Sequence, residues 1–128
     1  DWVLEGDFTM DSVSAAARAF LRMADRPSAL FLSSDEMAVG FMGVVQAAGL
    51  RVPQDVSVVG FDNIEMSQHL TPRLTTIRQP RTRIGESAAE LLLGLIDTAA
   101  LTGPSDVIEV EFIARGSAAP PPSGRNRR

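Results

Sequence analysis

The chain has 128 residues, 45% hydrophobic and 22% charged, with a formal charge of −4. That is the balance of one ordinary globular domain, and no apolar run approaches the roughly 18 residues that a membrane span needs. There is no cysteine, which excludes disulfide and thiolate chemistry, and an acidic surface is poorly suited to gripping phosphates, because nucleic-acid affinity comes mostly from basic side chains.

Asp1 is not an initiator methionine, and Trp2-Val3-Leu4 reads as a strand entered in mid-sequence. A fragment of a longer protein is therefore expected. Gly6-Asp7-Phe8-Thr9 breaks the strand, and Thr9 is placed to cap a helix over 10–24. Val13, Ala16, Ala17, Phe20, Leu21 and Ala24 share one face of it. Arg26-Pro27-Ser28 ends this unit, and 29–32 is a short apolar strand. A helix over 35–48 follows and stops at Gly49, which suits a left-handed cap. Asp35 and Glu36 in its first turn complement the helix dipole. Residues 56–61 are a β-branched strand of the buried, parallel-sheet kind.

The pattern is weak over 64–73, an irregular or short helical loop. Residues 74–77 read as a strand ended by Gln79-Pro80. A helix over 81–97 spaces Ile84, Ala88, Leu91, Leu92 and Leu95 at threes and fours. Thr102-Gly103-Pro104 is a turn, and 107–114 alternates as a final strand. Residues 117–128 are rich in Ser, Ala, Pro, Gly and Arg and are expected to be a disordered tail.

Alternating strands and helices with short connections imply an α/β fold, a Rossmann-like parallel sheet flanked by helices. Ligands in such sheets bind beyond the carboxyl ends of the strands. Three loops leave those ends, carrying Asp7-Phe8, Ser33-Ser34-Asp35 and Phe61-Asp62-Asn63. An aromatic ring, hydroxyls and carboxylates on one rim suit a small polar ring.

Four stretches carry a resemblance: residues 27–40 around Ser33-Ser34-Asp35-Glu36-Met37-Ala38, 49–63 ending in Gly60-Phe61-Asp62-Asn63, 70–80 ending in Arg78-Gln79-Pro80, and Arg115-Gly116-Ser117. In order and spacing they resemble segments of the LacI/GalR family of transcription regulators. The resemblance implies a type I periplasmic-binding-protein-like sensor of two subdomains around a cleft. Residues 1–116 would be mostly the C-terminal subdomain, and the helix over 81–97 would cross back to the other subdomain. A DNA-reading helix-turn-helix and most of the N-terminal subdomain would be absent, which would leave Ile84, Leu91 and Leu95 without their usual partner and the chain marginal alone.

The resemblance further implies that Phe8 stacks on the effector ring and that Asp62 binds its hydroxyl or N–H groups. Ser34 stands where sugar-binding members often have asparagine, with N-capping as the competing role. Gln79 is a ligand candidate at the subdomain crossover, whereas Asp35 reads as structural. The helix over 35–48 shows one apolar stripe of Met37, Phe41, Val44 and Ala48 and a second of Val39 and Met42. A second apolar face suggests a partner, so Val39, Met42 and Gln46 are expected at a homodimer interface.

His69 is the lone histidine, so no metal set is expected, and Ser33 and Ser34 lack a plausible base for nucleophilic catalysis. An enzyme and a cofactor are not expected. The reading is a cytoplasmic regulator whose sugar or purine-like effector alters operator affinity, with DNA touched only by an N-terminal headpiece. The alternative is the periplasmic sugar-binding protein of a transporter, which shares the fold.

Overall fold

The structure is a computed structural model that describes residues 2–98 and 105–121. Four strands, β1 (Ala29–Phe31), β2 (Ser57–Asp62), β3 (Thr75–Arg78) and β4 (Glu111–Ile113), form one sheet in the order β1-β2-β3-β4. The first three are parallel, as the alternating pattern requires. β4 returns antiparallel to β3, pairing Ile77 with Phe112, so the sheet is mixed at that edge.

Helices α1 (Met10–Arg22) and α2 (Asp35–Ala47) pack on each other, and α2 lies on β2. Their buried faces meet the inward residues of the sheet in one core containing Val13, Phe20, Leu32, Phe41, Val45, Val56, Val58 and Leu74. Phe20 and Phe41 meet edge-on at 5.3 Å between ring centroids, a favoured aromatic geometry. Each such buried side chain contributes roughly 1.5–3 kcal/mol from burial. Thr9 caps α1 by accepting the Ser12 N–H, and Gly49, at φ +89°, closes α2.

Several expectations are corrected. Residues 2–4 form no strand; they run beside the outer edge of β1, with Trp2 and Val3 exposed and Leu4 packed on the core. α1 ends at Arg22, where Met23 turns extended. The final strand is three residues long rather than eight, and residues 105–110 lie outside regular structure. The stretch after β2 is, as expected, an irregular loop with a short helical piece, the 3-10 turn Glu65–Gln68.

The tail does not begin at 117. Ser117 is fully buried: its hydroxyl donates to Val58 O at 2.6 Å and accepts the Thr75 N–H at 2.8 Å. Ala119 continues the attachment through Ser57. The turn at 102–104 and residues 122–128 lie outside the described residues.

The second apolar stripe of α2 is also corrected. Met42 is 2% exposed and belongs to the core of this chain, beside Met37, Ala38, Phe41 and Val45. It is therefore not available at an interface. Val39 is half-buried, and Gln46 is exposed with its amide donating to Thr71 O at 3.0 Å. Helix α3 (Arg81–Thr98) leaves Leu92, Leu93 and Ile96 exposed, and Ile84 is at the border of exposure.

Candidate functional site

Three non-glycine residues among the described ones have left-handed backbone: Phe8 at φ 64°, Asp62 at 114° and Asn63 at 52°. Such conformations are costly for side chains that carry a Cβ and persist where the surroundings over-determine them. All three lie in segments that the sequence singles out, Phe8 before α1 and Asp62-Asn63 at the end of β2.

The Phe8 loop is fixed by its neighbours. Asp7 Oδ1 accepts both the N–H and the hydroxyl of Thr9, at 3.0 and 2.6 Å, while the Asp7 N–H donates to Ser12 Oγ at 3.1 Å. Hydrogen bonds from Ser12, then Thr9, hold the Asp7 carboxyl down at about 2. The Phe8 ring is left 63% exposed. Phe8 is therefore not part of this chain's hydrophobic core.

β2 and β3 bring Asp62 and Gln79 together. Asp62 pairs with Arg78 in register, so Gln79 follows directly alongside. Gln79 Nε2 donates to Asp62 Oδ1 at 2.6 Å. Arg81, at the start of α3, reaches back to the Asp62 and Asn63 carbonyls at 3.3 and 3.5 Å. One carboxylate oxygen of Asp62 is thus engaged by a neutral donor.

Ser34 is buried and caps α2, accepting the Met37 N–H at 3.2 Å. That is the capping role, and it uses one of the hydroxyl's two acceptor lone pairs. Asp35 does not point along the dipole into solvent. It is fully buried, accepting the Thr76 hydroxyl at 2.5 Å and the Ile64 N–H at 2.9 Å. Burial pushes its carboxyl above the ordinary value of 3.8, against the pull of those two bonds.

Sequence reasoning misses Arg115 as part of this region. Its guanidinium donates to Asn63 Oδ1 at 2.6 Å, Leu74 O at 2.8 Å and Ser67 Oγ at 2.9 Å. The contact with Asn63 joins positions 52 residues apart, which no local pattern reveals; the closing Arg115-Gly116-Ser117 motif is the available signal.

A separate cavity of about 360 Å³ lies between residues 2–4 and β1, lined by Trp2, Leu4, Leu30, Phe31, Met37 and Phe41 among others. It contains none of Phe8, Asp62 or Gln79. It is the gap left where residues 2–4 pass β1 without pairing. Among the described residues no cluster of His, Cys, Asp or Glu could hold a metal ion, and no helix is long and apolar enough to cross a membrane.

The family model for the periplasmic binding protein-like domain matches residues 3–118. The chain is 48% identical over 93 residues to the HTH-type transcriptional repressor PurR of Aliivibrio salmonicida, covering 73% of this chain and 28% of that relative. It superposes on the transcriptional regulator CelR in complex with cellobiose, with a TM-score of 0.80 and 37% identity, over 88% of this chain and 35% of that one. It superposes equally well on the lac repressor dimer bound to operator and the anti-inducer ONPF, with a TM-score of 0.79 and 33% identity, over 89% of this chain and 40% of that one. The chain thus spans under a third of the length of the curated relatives it matches. These relatives are transcriptional regulators rather than enzymes. The chain belongs to the periplasmic-binding-protein-like family.

Proposed function

We propose that this chain is the effector-sensing part of a cytoplasmic LacI-type transcription regulator. The supporting observation is the set of left-handed residues: an exposed Phe8 in the segment before α1, and Asp62, the last residue of β2, oriented by Gln79. Backbone strain at an exposed Phe8 and a half-buried Asp62 fits a ligand rim better than a packing role. The effector class that suits an aromatic face and a carboxylate is a small sugar or a purine-like ring. Phe8 supplies stacking, Asp62 accepts hydroxyl or N–H hydrogens, and Gln79 both orients Asp62 and stands at the rim. Ser34 is the weakest member of the set, because it is buried and already caps α2.

Val39 and Gln46 on α2 are the remaining candidates for a homodimer face. Effector binding in such an assembly changes operator affinity by a coupling of typically about 1–3 kcal/mol, with DNA contacted through a headpiece outside this sequence. A transport-linked periplasmic sugar-binding protein shares the fold, but the regulator relatives favour the first reading.

Calorimetric titration with ribose, cellobiose, hypoxanthine and guanine tests the reading. Saturable binding of one compound, weakened by Asp62→Ala, is expected. A hydrogen bond to a charged group contributes about 1.5–3 kcal/mol, so affinity should fall roughly ten-fold or more. Binding that survives Asp62→Ala unchanged would remove Asp62 from the site.

A further inference from the structure

The Asp62–Asn63 turn is gripped from two sides by residues remote in sequence. On the inner side, fully buried Asp35 accepts the N–H of Ile64, the residue immediately after the strained pair. Its second oxygen takes the Thr76 hydroxyl, and Thr76 Oγ1 in turn accepts the Asn63 N–H at 3.4 Å. On the outer side, Arg115 holds the Asn63 side chain and ties it to Ser67 and Leu74. Arg115 is itself anchored, since its N–H donates to Thr75 Oγ1 and the neighbouring Ser117 is stitched between β2 and β3. The fit around Asp35 is tight: a Cβ placed on Gly60 would collide with its Oδ1.

A solvated loop needs none of this. A buried carboxylate is costly unless it is hydrogen-bonded. Here both oxygens of Asp35 are engaged by the turn that carries Asp62 and by the adjacent strand. We propose that Asp35 and Arg115 are positioning residues for the effector loop, together holding Asp62 in the left-handed conformation that presents its carboxylate, so that ligand affinity depends on two side chains that do not contact the ligand. The proposal rests on the effector-sensing reading given above. It assigns a function to the Arg115-Gly116-Ser117 motif: a side chain that follows β4 sets the geometry of a binding loop 52 positions earlier.

The test compares the wild-type protein with Thr76→Val, Thr76→Ser, Arg115→Gln and Asp35→Asn. Amide hydrogen exchange is read on peptides covering 61–67 and, as an internal control, 36–46. Thr76→Val and Arg115→Gln should speed exchange over 61–67 by about ten-fold or more, a local opening, with 36–46 unaffected. Asp35→Asn, whose amide oxygen can serve only one of the two donors, should act in the same direction. Thr76→Ser, which keeps the hydroxyl, should restore protection. In titrations with ribose, cellobiose, hypoxanthine and guanine, the loosened variants should lose about ten-fold in affinity for whichever compound the wild type binds. Unchanged exchange over 61–67, or a loss of protection spread evenly over both peptides, overturns the proposal. So does faster loop exchange with unaltered affinity. Should the wild type bind none of the four compounds, the effector reading for these ligands fails, while the exchange data still decide whether the grip exists.

Discussion

Gly60→Ala is the sharpest probe of the packing beneath the site. The added methyl would collide with Asp35 Oδ1 and stand 3.1 Å from Leu74 Cδ2, and both of those side chains are fully buried. Neither can move into solvent, so Asp35 must turn and give up the Thr76 hydroxyl, the Ile64 N–H or both. Losing one hydrogen bond to a charged group costs about 1.5–3 kcal/mol, and over-packing a core adds about 1–3 kcal/mol. The expected loss is about 3–5 kcal/mol, which for a chain of this size lowers the thermal midpoint by roughly 10–20 °C. Urea denaturation followed by circular dichroism measures it. Asp35→Ala alone also destabilises, because it leaves the Ile64 N–H and the Thr76 hydroxyl unpartnered and opens a cavity. In the double variant the methyl added at position 60 enters that space. The combined loss should therefore fall short of the sum by about 1–3 kcal/mol. A Gly60→Ala cost below about 1 kcal/mol, or a double variant additive within about 0.5 kcal/mol, would refute the contact.

Phe8→Gly should leave stability unchanged or slightly improved, because glycine adopts φ 64° without strain and the ring is exposed. The same change should weaken binding of a ring-shaped effector by roughly three- to ten-fold, read by calorimetry. Because burial raises the Asp35 carboxyl above 3.8, the folded state keeps that proton where the unfolded chain has released it. Stability from this group is therefore full below 3.8 and declines as pH rises through the folded value. Wild type minus Asp35→Asn in denaturation midpoint should accordingly grow as pH is lowered from about 7 to about 4. Asp7 and Asp55, held at about 2 by Ser12 and Arg51 respectively, act in the opposite sense, losing their contribution as pH falls from 3.8 towards 2. Both are common to the two proteins and cancel in that difference. Val39→Glu should convert a dimer to monomer in sedimentation; an unchanged mass at micromolar concentration would remove α2 from the interface.

Much of the fold is legible in the sequence because it rests on local signals. Thr9, Ser34 and Gly49 mark helix ends by capping chemistry, and the β-branched run before Asp62 marks a buried parallel strand. The features that differ depend on partners. Trp2-Val3-Leu4 has strand-forming residues, but a strand exists only where its backbone is paired, and here it is not. The two stripes on α2 suggest a second subunit, yet Met42 is covered from within the chain, where α1 and the sheet supply the partner surface. At the candidate site, topology singles out Phe8 and Asp62, and the family resemblance singles out Gln79. The structure adds the left-handed backbone at the first two and the 2.6 Å contact between the last two. The roles of Asp35 and Arg115 are not readable: a carboxylate in a helix's first turn normally faces water, and an arginine near a polar tail looks solvated. Their partners lie 29 to 52 residues away.

The most direct test of the effector-sensing reading is a crystal structure of the protein with whichever of ribose, cellobiose, hypoxanthine and guanine binds it. The ligand ring should lie against Phe8, with a hydroxyl or N–H hydrogen-bonded to the Asp62 carboxylate and Gln79 still in place beside it. A ligand seated instead in the apolar cavity between residues 2–4 and β1, away from Asp62, would contradict the assignment.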